Sequence, residues 1–182
     1  DPNGYDIETA VGLYLQAGVE PGKIVLGAPL YTRGWQGAAD GGDGGYGEGT
    51  SGKAPGTFEA GVYDYKDLLA QVTDPSSGWQ LYWDDTAQAS YVYNAAQGIF
   101  SSFETPSSIA LKAEWAESMG LGGMMFWDIS NDAVGSSESL VKAAYDSIVL
   151  DENVATIRSN SSLTNEIIVG GDGLINALPL IE

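Results

Sequence analysis

The sequence predicts an α/β fold with a smaller α+β unit inserted into it. Two short runs, IVLGAPLY at residues 24–31 and GGMMFWDI at 122–129, are apolar on both faces, as strands inside a parallel sheet are. Each follows a helical pattern closed by glycine, which makes two αβ units. Between them lie a glycine-rich loop and three short aromatic runs separated by turns. That pattern reads as an antiparallel meander.

The elements follow in order. Asp6 can cap a first helix whose apolar face would be Ala10, Val11, Tyr14 and Leu15, with Glu8 at its positive end. Gly18 stops it, and Pro21-Gly22 turns the chain into a strand at residues 23–31. Residues 34–61 are dense in glycine, with GGDGGYGEGTSGKAPG at the centre, and read as one long loop without helix or regular strand. Residues 62–72 read as a short helix with Leu68 and Leu69 inward. Strands are expected at 79–83, 90–94 and 98–103, with turns at Asp84-Asp85 and Ala96-Gln97-Gly98. Thr105 then caps a helix with Pro106 in its first turn. Its apolar residues are Ile109, Leu111, Ala113, Trp115, Ala116 and Met119, and Gly120 ends it. After the strand at 122–129, Ser136 or Ser137 can open a last helix to about Ile148, burying Leu140, Val141, Ala144 and Ile148. Residues 150–182 carry two apolar patches, at 167–169 and 174–181, and an Asn160-Ser161-Ser162 sequon. They suit a linker, a pairing strand or a packed extension equally.

Composition narrows the function. The 182 residues are enough for one domain with a sizeable core. No apolar run approaches the roughly 20 residues that cross a bilayer. Cysteine and histidine are both absent, which removes disulfides, thiolate and Ser-His-Asp chemistry and the usual zinc sites. No cofactor or metal is expected. Seven Lys and Arg against 25 Asp and Glu give a net charge of −18. Such a field repels nucleic acid and anionic membranes but not a neutral polysaccharide.

The segments become specific when taken together. PGKIVLGAPLYTRGW is followed by the glycine loop, GTFEAGVYDY, YWDDTAQASYVYN and FETPSSIALKAEWAESMGLGGMMFWDIS. In this order, over residues 5–148, the chain resembles the last third of a family 18 chitinase. The resemblance implies the last part of a (β/α)8 TIM barrel, strands seven and eight with flanking helices, plus an α+β insertion domain. Residues 1–33 would be a barrel segment, 34–102 the insertion, 103–149 a second barrel segment, and 150–182 a tail. It implies a secreted enzyme acting on chitin or chitooligosaccharides.

By the same resemblance Trp127 matches the tryptophan under the sugar whose bond is cut. An indole lies well against the apolar face of a sugar ring. Tyr31 and Arg33 match a Tyr-x-Arg pair at the end of strand seven, with Thr32 here in place of the family's usual glycine. Glu59 matches an insertion-domain glutamate that accepts hydrogen bonds from sugar, and Met125 would line the pocket beside Trp127. Other roles compete: core packing for Trp127 and Met125, and an ion pair with Glu59 for Arg33. Asp64, Trp83 and Tyr91 are expected to hold the insertion together.

The family's acid lies in an Asp-x-x-Asp-x-Asp-x-Glu run, and no such run occurs in these 182 residues. A barrel needs about 250 residues. The resemblance therefore implies that the chain is completed by the remainder of the barrel or by another chain. A lectin-like chitin-binding protein on the same fold is the alternative function. A calcium module around Asp40, Asp43 and Glu48 is a third, although their order matches no EF-hand.

Overall fold

The computed structural model describes residues 4–57 and 59–149, together with the short strands Ile168–Val169 and Ile175–Asn176. Helix α1 (Ile7–Gln16) begins as expected, with Asp6 accepting the Thr9 N–H at 2.7 Å. Its predicted apolar face is mostly open. Val11 is buried, but Ala10 and Tyr14 are exposed. A 3-10 turn, Pro21–Lys23, leads into strand β1 (Val25–Pro29).

Strand β1 pairs in parallel with β8 (Gly123–Trp127), from Val25 opposite Gly123 to Pro29 opposite Trp127. The two runs were expected to be buried on both faces, and only one face is. Leu26 and Ala28 are buried, and Met124 and Phe126 pack against the core. Val25, Met125 and Trp127 face outward. Apolar residues on both sides of a strand thus mark a sheet able to be covered twice, while the described residues cover it once.

Helices α3 (Pro106–Ser118) and α4 (Leu140–Val149) supply that cover. The start of α3 is a capping box: Thr105 Oγ1 accepts the Ser108 N–H at 3.1 Å, and Ser108 Oγ accepts the Thr105 N–H at 2.9 Å. Ile109, Ala113 and Ala116 are buried, whereas Leu111 and Met119 are exposed. Helix α4 starts later than Ser136 or Ser137. Ser139 Oγ accepts the Lys142 N–H at 3.1 Å, and buried Asp132 accepts both the Leu140 N–H at 2.9 Å and the Ser139 hydroxyl at 2.6 Å. A carboxylate seven residues upstream sets the helix start, which a local capping pattern does not reveal.

The chain between β1 and α3 builds a six-stranded antiparallel sheet. It contains β2 (Tyr31–Gln36), β3 (Gly52–Lys53), β4 (Val62–Asp64), β5 (Trp79–Asp84), β6 (Ala89–Asn94) and β7 (Ile99–Ser102). The order is β3-β2-β7-β6-β5, with β4 also on β2. The meander β5–β7 matches the sequence reading. Residues 34–61 differ, since Gly34–Gln36 extend β2 and Gly52–Lys53 form β3. Glycine is tolerated because partners come too close for side chains: a Cβ on Gly34 would meet the Tyr63 ring at 3.0 Å and Ala54 Cβ at 3.2 Å. Residues 62–72 split into β4 and helix α2 (Tyr65–Val72), with Leu68 fully buried and Leu69 packed against the core.

One buried cluster spans both parts. It joins Ala28, Leu30, Ile109, Ala113, Leu140 and Ala144 to Tyr63, Leu68, Trp79, Val92 and Ile99. Tyr65 is the rivet. It is 1% exposed, packs its ring 5.5 Å from that of Phe103, and donates its hydroxyl to the Glu138 carbonyl at 2.8 Å. Burial, with the charges of Glu138, Asp132 and Glu104 nearby, raises the Tyr65 pKa far above the usual phenolic value. The neighbouring Lys66 ammonium donates to the Ser130 carbonyl at 2.6 Å. Strands β9 (Ile168–Val169) and β10 (Ile175–Asn176) pair antiparallel. The Asn160 sequon, and the rest of 150–182 with its apolar patches, lie outside the described residues.

Candidate functional site: the open end of the parallel strand pair

The site grows from the register of β1 and β8. Pro29 stands opposite Trp127, and the Leu30 N–H donates to the Trp127 carbonyl at 2.7 Å, so the ladder extends one residue past the strand. Leu30 is fully buried. Side chains alternate along an extended chain, so Tyr31 returns to the open side on which Trp127 lies. Along β2 the alternation continues: Tyr31 is half-buried, Thr32 buried, Arg33 exposed, Gly34 buried and Trp35 exposed. Thr32, where the family resemblance expects glycine, lies on the buried side and its hydroxyl accepts from Ser101 Oγ at 2.9 Å. The substitution leaves Tyr31 and Arg33 on the open face.

Trp127 is 67% exposed and Met125 47%. Neither is a core residue in this chain. Gly27, opposite Met125, leaves the space that Met125 uses: a Cβ there would lie 3.3 Å from Met125 Cε. The Trp127–Asp128 peptide bond is cis. Asp128 Oδ1 accepts the Ser130 N–H at 2.9 Å and so shapes the 3-10 turn Ile129–Asn131 just beyond the indole.

Arg33 lies with its guanidinium carbon 5.2 Å from the centroid of the Tyr31 ring, a cation–π contact that fixes both. Its backbone N–H donates to Ser102 Oγ at 2.9 Å. No ion pair joins Arg33 to Glu59; the described ion pairs are Lys23–Glu20, Lys112–Glu104 and Lys142–Asp146. Among the described residues no hydrogen bond or ion pair takes the guanidinium donors, which suit another partner. Glu59 is exposed on a tight turn, its carbonyl accepting the Val62 N–H at 2.9 Å. Val62 pairs with Arg33, so strand β4 brings the Glu59 turn to the same end of β2. Four of the five sequence candidates thus share one open face, and the fifth, Glu59, sits on an exposed turn beside it.

One expectation about the insertion differs from the structure. Tyr91 does hold it together, donating its hydroxyl to the Asp43 carbonyl at 2.7 Å and stacking between Tyr46 and Tyr82. Trp83 does not, being 39% exposed with its indole N–H donated to Asp85 at 3.0 Å. Asp40 accepts the Gly44 N–H at 3.1 Å and organises its own turn. Among the described residues no group of three or more acidic side chains is placed to hold a metal ion, so Asp40, Asp43 and Glu48 form no calcium cage. Trp35 was not singled out in the sequence; its i, i+2, i+4 spacing from Tyr31 and Arg33 is the signal that places it on their face.

The model of glycosyl hydrolases family 18 matches residues 1–132. Chitinase A1 of Niallia circulans is 40% identical over 143 residues, covering 79% of this chain and 20% of that protein. Among solved structures, chitinase ChiA74 from Bacillus thuringiensis superposes with a TM-score of 0.67 at 34% identity, covering 77% of this chain and 25% of that one. A class V chitinase mutant from Cycas revoluta, solved in complex with (GlcNAc)3, gives a TM-score of 0.66 at 26% identity, covering 77% and 38%. The chain belongs to glycosyl hydrolases family 18. It spans about a fifth of the length of the Niallia relative.

Proposed function

We propose that the chain is the C-terminal part of a secreted chitinase that cleaves β-1,4 linkages in polymers of N-acetylglucosamine. In this reading β1 and β8 are strands seven and eight of a (β/α)8 barrel, and residues 34–102 are the insertion that walls the cleft. The side of β1 and β8 left open here faces the barrel interior, completed by the remainder of the barrel. Functional groups of such barrels gather at the C-terminal ends of the strands, which is where Trp127 and Tyr31 lie.

Each residue then has a task. Trp127 floors the sugar at the cleaved bond and braces it as it distorts. Arg33 and Glu59 hold hydroxyl and acetamido groups by donating and accepting respectively. Met125 fills the gap beside the indole. A glutamic acid outside these 182 residues protonates the leaving oxygen. The substrate's own acetamido oxygen attacks the anomeric carbon, so configuration is retained without a protein nucleophile.

The observation that carries the reading is the shared open face of Trp127, Tyr31 and Arg33. Calorimetric titration with chitooligosaccharides tests it: the protein binds and a Trp127→Ala variant binds at least tenfold more weakly. Equal affinity for both would sink the assignment. A second reading is a lectin-like chitin-binding protein on the same fold, distinguished by whether the remainder of the barrel carries the Asp-x-x-Asp-x-Asp-x-Glu run. Release of shorter oligosaccharides by the full-length protein separates the two.

A further inference from the structure

The open face of β2 does not end at Arg33. Trp35 follows two residues on, about 7 Å further along the strand, and is 38% exposed. It begins a row of aromatic rings that crosses the antiparallel sheet from β2 towards β5. Trp35 pairs with Phe100 on β7, their ring centroids 6.0 Å apart. Phe100 meets Tyr91 at 5.3 Å and Tyr46 at 6.4 Å, and Tyr91 stacks on Tyr82 at 5.2 Å with the planes 8° apart.

Among the described residues the row is covered at one end only. The glycine turns at 40–47 fold over Tyr91 and Tyr93, and they can approach this closely because Gly44 lies against the Tyr82 ring and Gly45 against that of Tyr93. Tyr46, carried on that loop, stacks 5.3 Å from Tyr91 and yet is 47% exposed. Its hydroxyl is hydrogen-bonded to Asp84, which with burial raises its pKa above the ordinary phenolic value. Trp35 and Tyr46 are therefore exposed rings held in place from behind, with Phe100 between them. Exposed aromatic surface that is rigid rather than merely tolerated marks a binding surface.

We propose that Trp35, Phe100 and Tyr46 form an outlying sugar-binding platform for the units of a chitin strand beyond those held at Trp127. The platform rests on the chitinase reading above and extends it. Three features select this occupant. Trp35 continues the strand face of Tyr31 and Arg33, with Phe100 and Tyr46 beside it across the sheet, so a polymer passing Arg33 meets the platform at Trp35. The surface offers flat apolar rings with a few donors, Arg33 on β2 and Lys53 opposite Trp35 on β3, which suits a neutral sugar with an apolar face and acetamido oxygens. The chain's charge of −18 disfavours an anionic polymer in the same place.

The test compares a short and a long ligand. The full-length protein and its Trp35→Ala, Tyr46→Ala and Trp127→Ala variants are titrated calorimetrically against chitobiose and chitohexaose. Trp35→Ala and Tyr46→Ala are expected to weaken chitohexaose by about tenfold each while leaving chitobiose unchanged, and Trp127→Ala to weaken both. Unchanged thermal midpoints certify that the variants fold, and Trp35→Phe retains a ring and most of the affinity. Wild-type chitohexaose affinity in Trp35→Ala and Tyr46→Ala, with Trp127→Ala weakened, overturns the platform and leaves the chitinase reading standing. Unchanged affinity in Trp127→Ala overturns that reading, and the platform with it.

Discussion

The Leu30 N–H donates to the carbonyl of Trp127 at 2.7 Å. This bond joins the residue that enters the core to the residue most open to solvent at the end of the strand pair. It holds the first turn of the antiparallel sheet against the end of β8, so the Tyr31–Arg33 pair and the Trp127 indole are set by one backbone ladder. Loops alone would position them less firmly.

Because the Trp127 side chain is 67% exposed, removing it is expected to leave stability within about 0.5 kcal/mol of wild type. Urea unfolding of Trp127→Ala checks this beside the binding measurement. Binding lost at constant stability identifies a contact residue; a stability loss of several kcal/mol would mean that the indole packs in a core.

Tyr65→Phe keeps the ring against Phe103 and removes one hydroxyl, leaving the Glu138 carbonyl without its 2.8 Å donor. The expected loss is about 1–2 kcal/mol. It should appear as a lower urea midpoint at unchanged slope, since the bond joins the insertion to the segment before α4.

Gly56→Ala should be far more disruptive than its surface position suggests. An added Cβ would overlap the carbonyl oxygens of Glu59 and Val62. The turn carrying Glu59 must open, at a cost of about 1–3 kcal/mol or more. Sugar affinity is expected to fall with it. Full retention of both stability and affinity would show that Glu59 is not held by this turn.

Asp84 gives a pH dependence. Its pKa is held below the usual carboxylate value, first by the Ala87 N–H, then by the Thr86 N–H and the Tyr46 hydroxyl. A carboxyl depressed on folding stabilises fully above its unfolded value, about 3.9, and that contribution disappears as pH falls through the folded value. The melting temperature of wild type relative to Asp84→Asn should therefore be constant above about pH 5 and converge in acid. A constant difference down to about pH 2 would contradict it.

Much of this arrangement is legible in the residues. Asp6 and Thr105 as caps, the meander between Trp79 and Ser102, and the parallel pairing of two apolar runs follow from local chemistry and strand periodicity. Strand β2 was hidden because glycines usually signal loops. Here Gly34 is small so that Tyr63 and Ala54 can press against the sheet, a packing demand invisible in one dimension. The start of α4 was hidden because its cap, Asp132, arrives from seven residues before Ser139.

By itself the sequence determined that Tyr31 and Trp127 lie near the ends of two apolar runs, because turn residues and alternation are local properties; Arg33 entered only by the family resemblance and lies inside β2. Only the tertiary structure decided which way they face. The parallel pairing of β1 with β8, and cover by α3 and α4 on one side alone, turn Leu30 inward and Trp127 outward. That choice depends on which face finds a partner, and partners are chosen across the whole chain.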